Sequence, residues 1–243
     1  MDLKGRTALV TGGGRGIGRA TCKALAERGL RVAVNYLSNR AAAEETAAAI
    51  RAAGGEAAAF QADVSDPEAV RSMVEAVEAG LGPVDVLINN AGITTRGEVT
   101  LESWRRVLEV NLTGAFICTR AVLPGMLQRK WGRIVSLSST AGVQGAGEIH
   151  YCASKAGIIG FTMALARQVA AQGITVNVIS PALVDTEFHP PAQRFVFQQN
   201  AKQLIPVGRL ATADEVGRFI ADLIGHPYIT GENVLVAGGV IMG

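Results

Sequence analysis

Tyr151 and Lys155 are the residues whose types and spacing most directly suggest chemistry. They stand four positions apart near the start of a predicted helix, so both side chains lie on one face of it. A free tyrosine has a pKa of about 10 and is a poor acid or base at neutral pH, whereas a nearby ammonium favours the phenolate and lowers that pKa. The pair is therefore a candidate proton donor with its tuning group, although this spacing alone is common by chance.

A serine and an asparagine upstream could complete such a site. Ser138 is the last residue of the predicted fifth strand, at the strand end where parallel sheets bind ligands, and its hydroxyl could bond a substrate carbonyl. Ser136 and Ser139 are alternatives by type, but Ser136 lies inside the strand and Ser139 is expected to point to the other side. Asn111 lies in the long helix after the fourth strand, where it could equally be an exposed helical residue.

A glycine-rich loop, TGGGRGIG at 11–18, joins the first predicted strand to the first predicted helix. Glycines permit a tight turn and let backbone N–H groups approach a pyrophosphate closely. The N-terminus of the following helix offers unpaired N–H donors and the positive end of its dipole. A glycine cluster alone is weak evidence, but this strand-to-helix position predicts dinucleotide binding. The predicted contact residues are Gly12, Gly14, Arg15, Gly16, Ile17 and Gly18.

The end of the second predicted strand distinguishes NAD from NADP. A carboxylate there would bond the ribose 2′-OH and repel a 2′-phosphate, but no acidic residue occurs between Asn35 and Arg40. Arg15 and Arg40 can supply positive charge, and Ser38 can donate a hydrogen bond, as can its neighbour Asn39. Because arginine binds phosphate through two bonds at once, the sequence predicts NADPH or NADP+ as the cofactor. The alternative for Arg40 is a solvated residue at the start of a helix.

Strand-like and helical segments alternate along the whole chain. Strands joined by helices predict a parallel sheet covered on both faces, here an α/β, Rossmann-type, doubly wound domain of about seven strands spanning 1–243. The exception is 185–210, an irregular insertion holding three of the seven phenylalanines, which we expect to be a substrate lid. The predicted strands are Arg6–Thr11, Arg31–Tyr36, Glu56–Gln61, Val84–Asn89, Gly132–Ser138, Ile174–Ile179 and Val234–Ala237. The predicted helices include Ile17–Arg28, Ala41–Ala53, a segment capped by Ser65 and Glu68, Leu101–Gln128, Tyr151–Ala171 and a segment opened by Thr212 and Glu215.

Composition excludes several classes of protein. The chain is 49% hydrophobic and 18% charged with a net charge of +2, which fits neither a disordered chain nor a nucleic-acid binder with a dense basic stripe. No apolar window of about 18 residues is free of polar interruption, and no signal-peptide core is visible, so we expect no membrane span. Cys22, Cys118 and Cys152 are too scattered for a disulfide framework, and the histidines share no metal-ligand spacing. A cytoplasmic protein without a bound metal is expected.

These motifs together resemble the short-chain dehydrogenase/reductase family over nearly the whole chain. The matches are the TGxxxGxG loop, the NNAG motif at 89–92, and the ordered set Asn111, Ser138, Tyr151 and Lys155. The resemblance implies that NADPH delivers hydride to a carbonyl carbon while Ser138 and Tyr151 polarise the oxygen and Tyr151 supplies the proton. It also implies that Lys155 lowers the tyrosine pKa and binds the nicotinamide ribose, and that Asn111 bends its helix and orders a water in the proton relay.

The resemblance also implies further cofactor contacts. It assigns Asp63 to the adenine amino group, although this residue could instead be a turn or cap ligand. Asn90 is expected to be a direct contact, while a purely structural role stays open for the asparagine pair. The remaining predicted cofactor residues are Asn35, at the end of the second strand, and Val64, Ala91, Gly92, Pro181, Val184 and Thr186.

A closer resemblance is to the branch of the family that reduces 3-oxoacyl groups on acyl-carrier protein or CoA. It rests on NNAGIT at 89–94, ASKAG at 153–157, YITG at 228–231 and the terminal segment 238–243. It implies a homotetramer and an acidic carrier protein as partner, which the basic residues Arg129, Lys130 and Arg133 could meet unless they form only a solvated helix end. The alternatives are a reductase of another ketone, sugar or secondary alcohol, and a non-catalytic NADP-binding regulator.

Overall fold

A parallel sheet of seven strands forms the centre of the structure, a computed structural model that describes residues 3–241. Its strands are β1 Thr7–Val10, β2 Arg31–Tyr36, β3 Glu56–Gln61, β4 Val84–Asn89, β5 Gly132–Leu137, β6 Ile174–Pro181 and, after two short strands, β9 Asn233–Val236. The short strands, β7 Val184–Asp185 and β8 Ala211–Thr212, pair with each other. The order across the large sheet is β3-β2-β1-β4-β5-β6-β9, and all neighbours are parallel. The order reverses between β1 and β4, where open α/β sheets bind ligands. The predicted doubly wound Rossmann-type fold is therefore confirmed.

Helices cover both faces of the sheet. They are α1 Gly16–Glu27, α2 Arg40–Ala52, α3 Pro67–Leu81, α4 Leu101–Leu108, α5 Gly114–Arg129, α6 Ala141–Gln144, α7 Ile149–Val169, α8 Pro191–Leu204 and α9 Ala213–Leu223. Successive strand residues point to opposite faces. In β1, Ala8 and Val10 therefore pack in the core under α1, α2 and α9, whereas Leu9 packs in the core under α3, α5 and α7. The seven sheet strands end within two residues of their predicted limits.

The start of α3 differs from the prediction. Its N-cap is Asp66, whose side chain accepts hydrogen bonds from the backbone N–H groups of Glu68 at 2.9 Å and Ala69 at 3.2 Å. The predicted cap at Ser65 is wrong because Pro67 occupies the first helical position, where proline is favoured, and this places the cap directly before it. The predicted capping box of Thr212 and Glu215 at the start of α9 is confirmed.

The helix predicted at 101–128 is a single helical run from Leu101 to Arg129 with a π-helical segment, Glu109–Thr113, between α4 and α5. By length and hydropathy alone, this run could cross a membrane. Core helices pass the same test, and Val107, Val122 and Met126 of this run are buried. The π-helical segment carries Asn111, so the irregularity lies at a predicted site residue.

The insertion at 185–210 is more regular than predicted. It contains the 14-residue helix α8, which begins with Pro191 and ends before Ile205. The apolar residues of α8 do not form one continuous stripe, because Phe195 and Val196 are exposed while Phe197 and Ala201 pack inward. A helix with so few inward positions has little periodic signal in its sequence. We refer to residues 185–210 as the lid.

Candidate active site

A cleft of about 750 Å³ lies along the carboxyl ends of β1, β2, β4, β5 and β6, with the lid on one side. The predicted residues that line it are Gly12, Gly14, Arg15, Gly16, Ile17, Asn35, Ser38, Asp63, Val64, Asn90, Ala91, Gly92, Ser138, Tyr151, Lys155, Pro181, Val184 and Thr186. The cleft volume lies within the range of small-molecule and cofactor sites. Three predicted residues, Gly18, Arg40 and Asn111, do not line the cleft.

The backbone of the glycine loop requires glycine at several positions. Gly12 and Gly16 have positive φ values of +63° and +51°, which favour glycine. A Cβ at Gly18 would lie 2.3 Å from the Gly12 carbonyl oxygen and 2.6 Å from Asn90 Nδ2. Gly18 therefore lies beneath the loop as a packing requirement, while Gly12, Gly14 and Gly16 line the cleft.

Two asparagines hold this loop in place. The Gly12 N–H donates to Asn35 Oδ1 at 3.2 Å. Asn90 Nδ2 donates to the carbonyl oxygens of Thr11 at 2.8 Å and Gly12 at 3.1 Å. Because these amide groups already bond the protein backbone, both asparagines support the loop, whichever further contacts they make.

At the far end of the glycine loop, Arg15 and Ser38 line the cleft and are exposed. Arg40 does not join them. Its side chain is 77% exposed, and its Nε lies 3.9 Å from Glu44 Oε1, one helical turn further along α2. The geometry therefore supports Arg15, but not Arg40, as a cationic group of this part of the cleft.

Tyr151 and Lys155 lie together on α7 at the other end of the cleft. Lys155 Nζ is 5.7 Å from the Tyr151 ring centroid and donates to the Leu137 carbonyl oxygen at 2.6 Å. Burial lowers the pKa of Lys155 to about 8. Burial also raises the pKa of Tyr151 to about 12, although a hydrogen bond with Ser139 opposes the rise. In this structure Tyr151 is therefore a protonated phenol at neutral pH, and the lowering of its pKa by the Lys155 ammonium stays a prediction.

The structure places Ser139, not Ser138, beside the tyrosine. Ser138 is 4% exposed, and its hydroxyl donates to the main-chain oxygen of Lys155 at 2.7 Å. Its N–H continues the sheet by donating to Ile179 O, so its side chain keeps the strand alternation and faces α7. The chain turns after it, and the Ser139 hydroxyl hydrogen-bonds Tyr151. The choice of Ser138 for the substrate carbonyl is therefore contradicted by the geometry.

Asn111 is buried behind the cleft. Its Oδ1 accepts from the Ile93 N–H at 2.8 Å, and its Nδ2 donates to Ile93 O at 2.9 Å and Ser154 Oγ at 3.0 Å. A Cβ at Gly92 would lie 3.4 Å from both Asn111 Oδ1 and Lys155 Nζ. Asn111 thus fixes the segment after β4 against α7, and the bare backbone of Gly92 leaves room between the two side chains.

Arg106 and Phe188 also line the cleft, and of the two only Phe188, a phenylalanine of the insertion, was singled out by the sequence. Arg106 of α4 bonds Asp63, and Phe188 lies with its ring centroid 5.9 Å from that of Tyr151. His150 is fully buried with Nε2 2.6 Å from Thr95 Oγ1, so it anchors the loop after β4. The phenylalanines of the insertion gave the only sequence signal for these contacts. Within residues 3–241, no group of three His, Cys, Asp or Glu side chains could hold a metal ion.

The basic residues after the long helix do not form the predicted surface cluster. Arg133 is 2% exposed, with its guanidinium bonded to the carbonyl oxygens of Gly132, Gly173 and Ile224. Arg129 donates to Val84 O. Both lie at the amino ends of the strands, opposite the cleft, because β5 begins at Gly132. These residues therefore cannot bind a carrier protein next to the cleft of the same chain.

Comparison with known proteins agrees with this arrangement. Residues 6–195 match the family model described as short chain dehydrogenase. The chain is 41% identical to a 3-oxoacyl-[acyl-carrier-protein] reductase of Synechocystis over 99% of this chain and 98% of that protein. It is 43% identical to an acetoacetyl-CoA reductase of Shinella zoogloeoides, covering 96% and 98% of the two chains. It is 39% identical over both full lengths to a 3-oxoacyl-[acyl-carrier-protein] reductase of Escherichia coli.

Enzymes of this family use a nicotinamide cofactor, and the cleft fits one in its volume and in the bare backbone that Gly12, Gly14 and Gly16 present along it. The match over most of the chain and the similarity to named reductases place the chemistry among oxidoreductases. The chain belongs to the short-chain dehydrogenase family.

Proposed function

We propose that the enzyme reduces the ketone of a 3-oxoacyl thioester, carried on acyl-carrier protein or CoA, to the 3-hydroxyacyl thioester with NADPH. The observation that carries this proposal is the placement of Ser139, Tyr151 and Lys155 together at one end of a cleft that begins at the glycine loop. The names of the relatives, which include reductases of 3-oxoacyl-carrier protein and of acetoacetyl-CoA, support the choice of substrate.

NADPH is proposed over NADH on the charges at the end of β2. Arg15 and Ser38 line the cleft there, and no carboxylate is present among Asn35 to Asn39 to repel a phosphate. The N–H groups of the glycine loop and of the start of α1 would bind the pyrophosphate. Replacing Arg15 with methionine should weaken NADPH binding about tenfold and leave NADH binding nearly unchanged, since only NADPH carries the 2′-phosphate. Fluorescence titration of both nucleotides checks this, and equal loss for both would contradict it.

The proposed mechanism divides the work among three side chains. NADPH, held along the glycine loop and beside Lys155, would supply the hydride that the ketone carbon accepts. Ser139 and Tyr151 donate hydrogen bonds to the ketone oxygen and stabilise the charge that develops on it. Tyr151 then gives its proton to that oxygen, which completes the alcohol. Lys155 lies behind the tyrosine, where its ammonium offsets the negative charge left on the phenolate and would bond the nicotinamide ribose.

The other site residues have supporting roles in this proposal. Asn111 holds the segment 92–93 against α7, and Pro181, Val184 and Thr186 line the cleft, with Thr186 beside Gly16 of the glycine loop. The rings of Phe188 and Phe197 form an apolar wall of the lid that suits an acyl substrate. We also propose that the enzyme is a cytoplasmic homotetramer and that an acyl-carrier protein is a partner.

A second candidate function is the reduction of another, more polar ketone or the oxidation of a secondary alcohol. The observation that favours it is a set of polar side chains on the substrate side of the cleft. Arg96, Glu148, His189 and Gln193 all line it. A purely aliphatic chain would leave these groups without partners.

Initial rates of NADPH oxidation test the two candidates against each other. The substrates are acetoacetyl-CoA, an acetoacetyl-carrier-protein conjugate, and a panel of simple ketones and sugars. The proposal predicts the highest kcat/KM for a thioester. Turnover of a panel ketone with none for either thioester would discard the acyl assignment and favour the second candidate.

A further inference from the structure

Arg106 bridges two walls of the nucleotide half of the cleft. It lies on α4, and its guanidinium reaches the turn after β3. Nη1 donates to Ser65 Oγ at 3.0 Å and Nη2 donates to Asp63 Oδ2 at 3.3 Å. The Arg106 side chain is 45% exposed, so this contact adds little to folding stability. The main effect of Arg106 is therefore on the position of the Asp63 carboxylate.

The hydrogen bonds of Asp63 leave one acceptor site open. Oδ1 accepts from Ser65 N at 2.9 Å and Ser65 Oγ at 2.5 Å, and within residues 3–241 Oδ2 accepts only from Arg106. An ionised carboxylate offers about four lone-pair sites, two on each oxygen. The free site therefore lies on Oδ2, on the oxygen whose position Arg106 fixes, and Asp63 lines the cleft.

The charge state of Asp63 suits an acceptor. Burial alone would raise the pKa of Asp63, but the hydrogen bonds from Ser65 and Arg106 outweigh it and lower the pKa below its usual value. The carboxylate is therefore ionised at neutral pH and can only accept hydrogen bonds. The group that complements it must carry an N–H or O–H.

The long helix closes this part of the cleft along one face. Arg106, Val110 and Gly114 follow each other at four-residue spacing. Val110 lines the cleft, and a Cβ at Gly114 would lie 2.9 Å from Val64 Cγ2. Arg106 is thus held over Asp63 by a helix that packs directly on the neighbouring residue, Val64.

We propose that Arg106 is a positioning residue for the adenine end of the cofactor, because it holds Asp63 Oδ2 where its free site accepts a hydrogen bond from the exocyclic amino group of adenine. This rests on the proposed binding of NADPH. Without Arg106, the carboxylate is held only through Oδ1 and Oδ2 is free to turn away. The lost contact weakens binding of the amino-bearing base specifically.

The test compares NADPH with its deamino analogue, in which a carbonyl oxygen replaces the adenine amino group. Dissociation constants are measured by fluorescence titration for the wild type and for Arg106→Met, Arg106→Lys and Arg105→Met. Arg105→Met is the matched control, since it removes the same charge from an exposed position on the same helix without touching these contacts. We expect Arg106→Met to weaken NADPH binding about tenfold, Arg106→Lys less, and Arg105→Met less than about twofold. The analogue should bind the wild type and Arg106→Met equally.

Each other outcome overturns the inference. Equal loss for NADPH and its analogue would mean that Arg106 does not act through the amino group, and no loss for either would mean that it does not act on the cofactor. Wild-type protein that binds neither nucleotide would remove the proposed cofactor itself, a failure distinct from the first two. Melting temperatures without nucleotide should stay within about 2 °C of wild type, because the replaced side chain is half exposed.

Discussion

At the scale of single residues, the two serines after β5 have different roles: Ser138 is structural, and Ser139 contacts the catalytic tyrosine. Ile134, Ser136 and Ser138 have the same parity in the strand, and Ile134 packs in the core under α3, α5 and α7. Ser138 keeps that direction and bonds Lys155 O, whereas Ser139 leaves the sheet and reaches Tyr151. The alternation of side chains along the strand could be read from the sequence, but the residue at which the sheet ends could not. Because the chain leaves the sheet after Ser138, Ser139 and not Ser138 reaches Tyr151.

Replacing these serines by alanine should have different effects. Ser139→Ala removes a donor to the ketone oxygen, so kcat/KM should fall about 100-fold or more while the NADPH dissociation constant stays unchanged. Ser138→Ala loses a buried hydrogen bond to Lys155 O, so the free energy of unfolding should fall by about 1 kcal/mol, with a smaller loss of activity. Steady-state kinetics and urea denaturation measure both. A larger loss of kcat/KM for Ser138→Ala would restore the catalytic role to Ser138.

Lys155 should limit activity at high pH. Its pKa is lowered to about 8 by burial, so the ammonium that supports Tyr151 is lost as the pH rises through that value. We expect kcat/KM for reduction to fall above pH of about 8, with the pH–rate profile as the measurement. A profile that stays flat from pH 7 to 10 would contradict a role for the charged form.

The same burial makes Lys155 costly for stability. The unfolded state binds more protons than the folded state between pH of about 8 and the ordinary lysine pKa of 10.5, so this group raises the free energy of unfolding as the pH rises through that window. At pH 7 the lowered pKa corresponds to about 3 kcal/mol of unfavourable burial. Lys155→Met should therefore stabilise the fold by about 1 to 2 kcal/mol, after the lost bond to Leu137 O, while abolishing turnover. Urea denaturation at pH 7 and 10 checks this. Destabilisation at pH 7 would show that the bond to Leu137 O outweighs the desolvation.

At the scale of elements, the glycine loop is defined by backbone crowding. Gly18→Ala would place a methyl group against Gly12 O and Asn90 Nδ2, so NADPH affinity should fall by more than about tenfold and the fold should lose about 1 to 3 kcal/mol. Gly80 is the control, since no atom lies within 4 Å of a Cβ built there in α3, and Gly80→Ala should be neutral or stabilising by up to about 1 kcal/mol. Nucleotide titration and thermal melting measure the difference. Equal effects at both positions would contradict the crowding argument.

Elements with a strong periodic signal are predictable from the sequence, and the others are not. β2 and β4 follow from runs of β-branched and apolar residues bounded by polar turns. The π-helical segment at 109–113 and helix α8 do not, because one depends on the contacts of Asn111 with Ile93 and Ser154, and the other has few inward residues. The motif residues of the cleft carry their own signal, whereas Arg106 and Phe188 enter it only through the packing of α4 and the lid.

At the scale of the whole molecule, apolar side chains remain exposed on the two long helices. Phe116 of α5 is 47% exposed and Met163 of α7 is 43% exposed, and Phe116 meets Phe161 edge to face with ring centroids 6.4 Å apart. Adjacent exposed apolar residues mark surfaces that associate. If these helices form the interface of the proposed tetramer, Phe116→Glu should give smaller species, whereas Phe195→Glu on the lid should leave the assembly intact. Light scattering coupled to size-exclusion chromatography measures the mass, and an unchanged mass for Phe116→Glu would move the interface elsewhere.

The overall architecture was within reach of the sequence because βα alternation over this length admits few topologies. The substrate was not, because specificity depends on the lid, whose polar and aromatic residues meet only in the folded chain. The cofactor and the catalytic groups could be predicted from the sequence in part. Their motifs are local, but the contacts of Arg40, Ser138 and Arg106 depend on a turn, a strand end and a helix face.

The transfer of isotope from cofactor to product tests the central claim most directly. NADPH labelled with deuterium on either face of the nicotinamide C4 is incubated with the enzyme and acetoacetyl-CoA, and the product is examined by mass spectrometry and NMR. The proposed chemistry predicts that one labelled form, and only one, gives 3-hydroxybutyryl-CoA with a single deuterium at C3, and that Tyr151→Phe forms this product at least about 100-fold more slowly. Product without deuterium from either labelled form, or deuterium at another carbon, would contradict direct hydride delivery to the ketone.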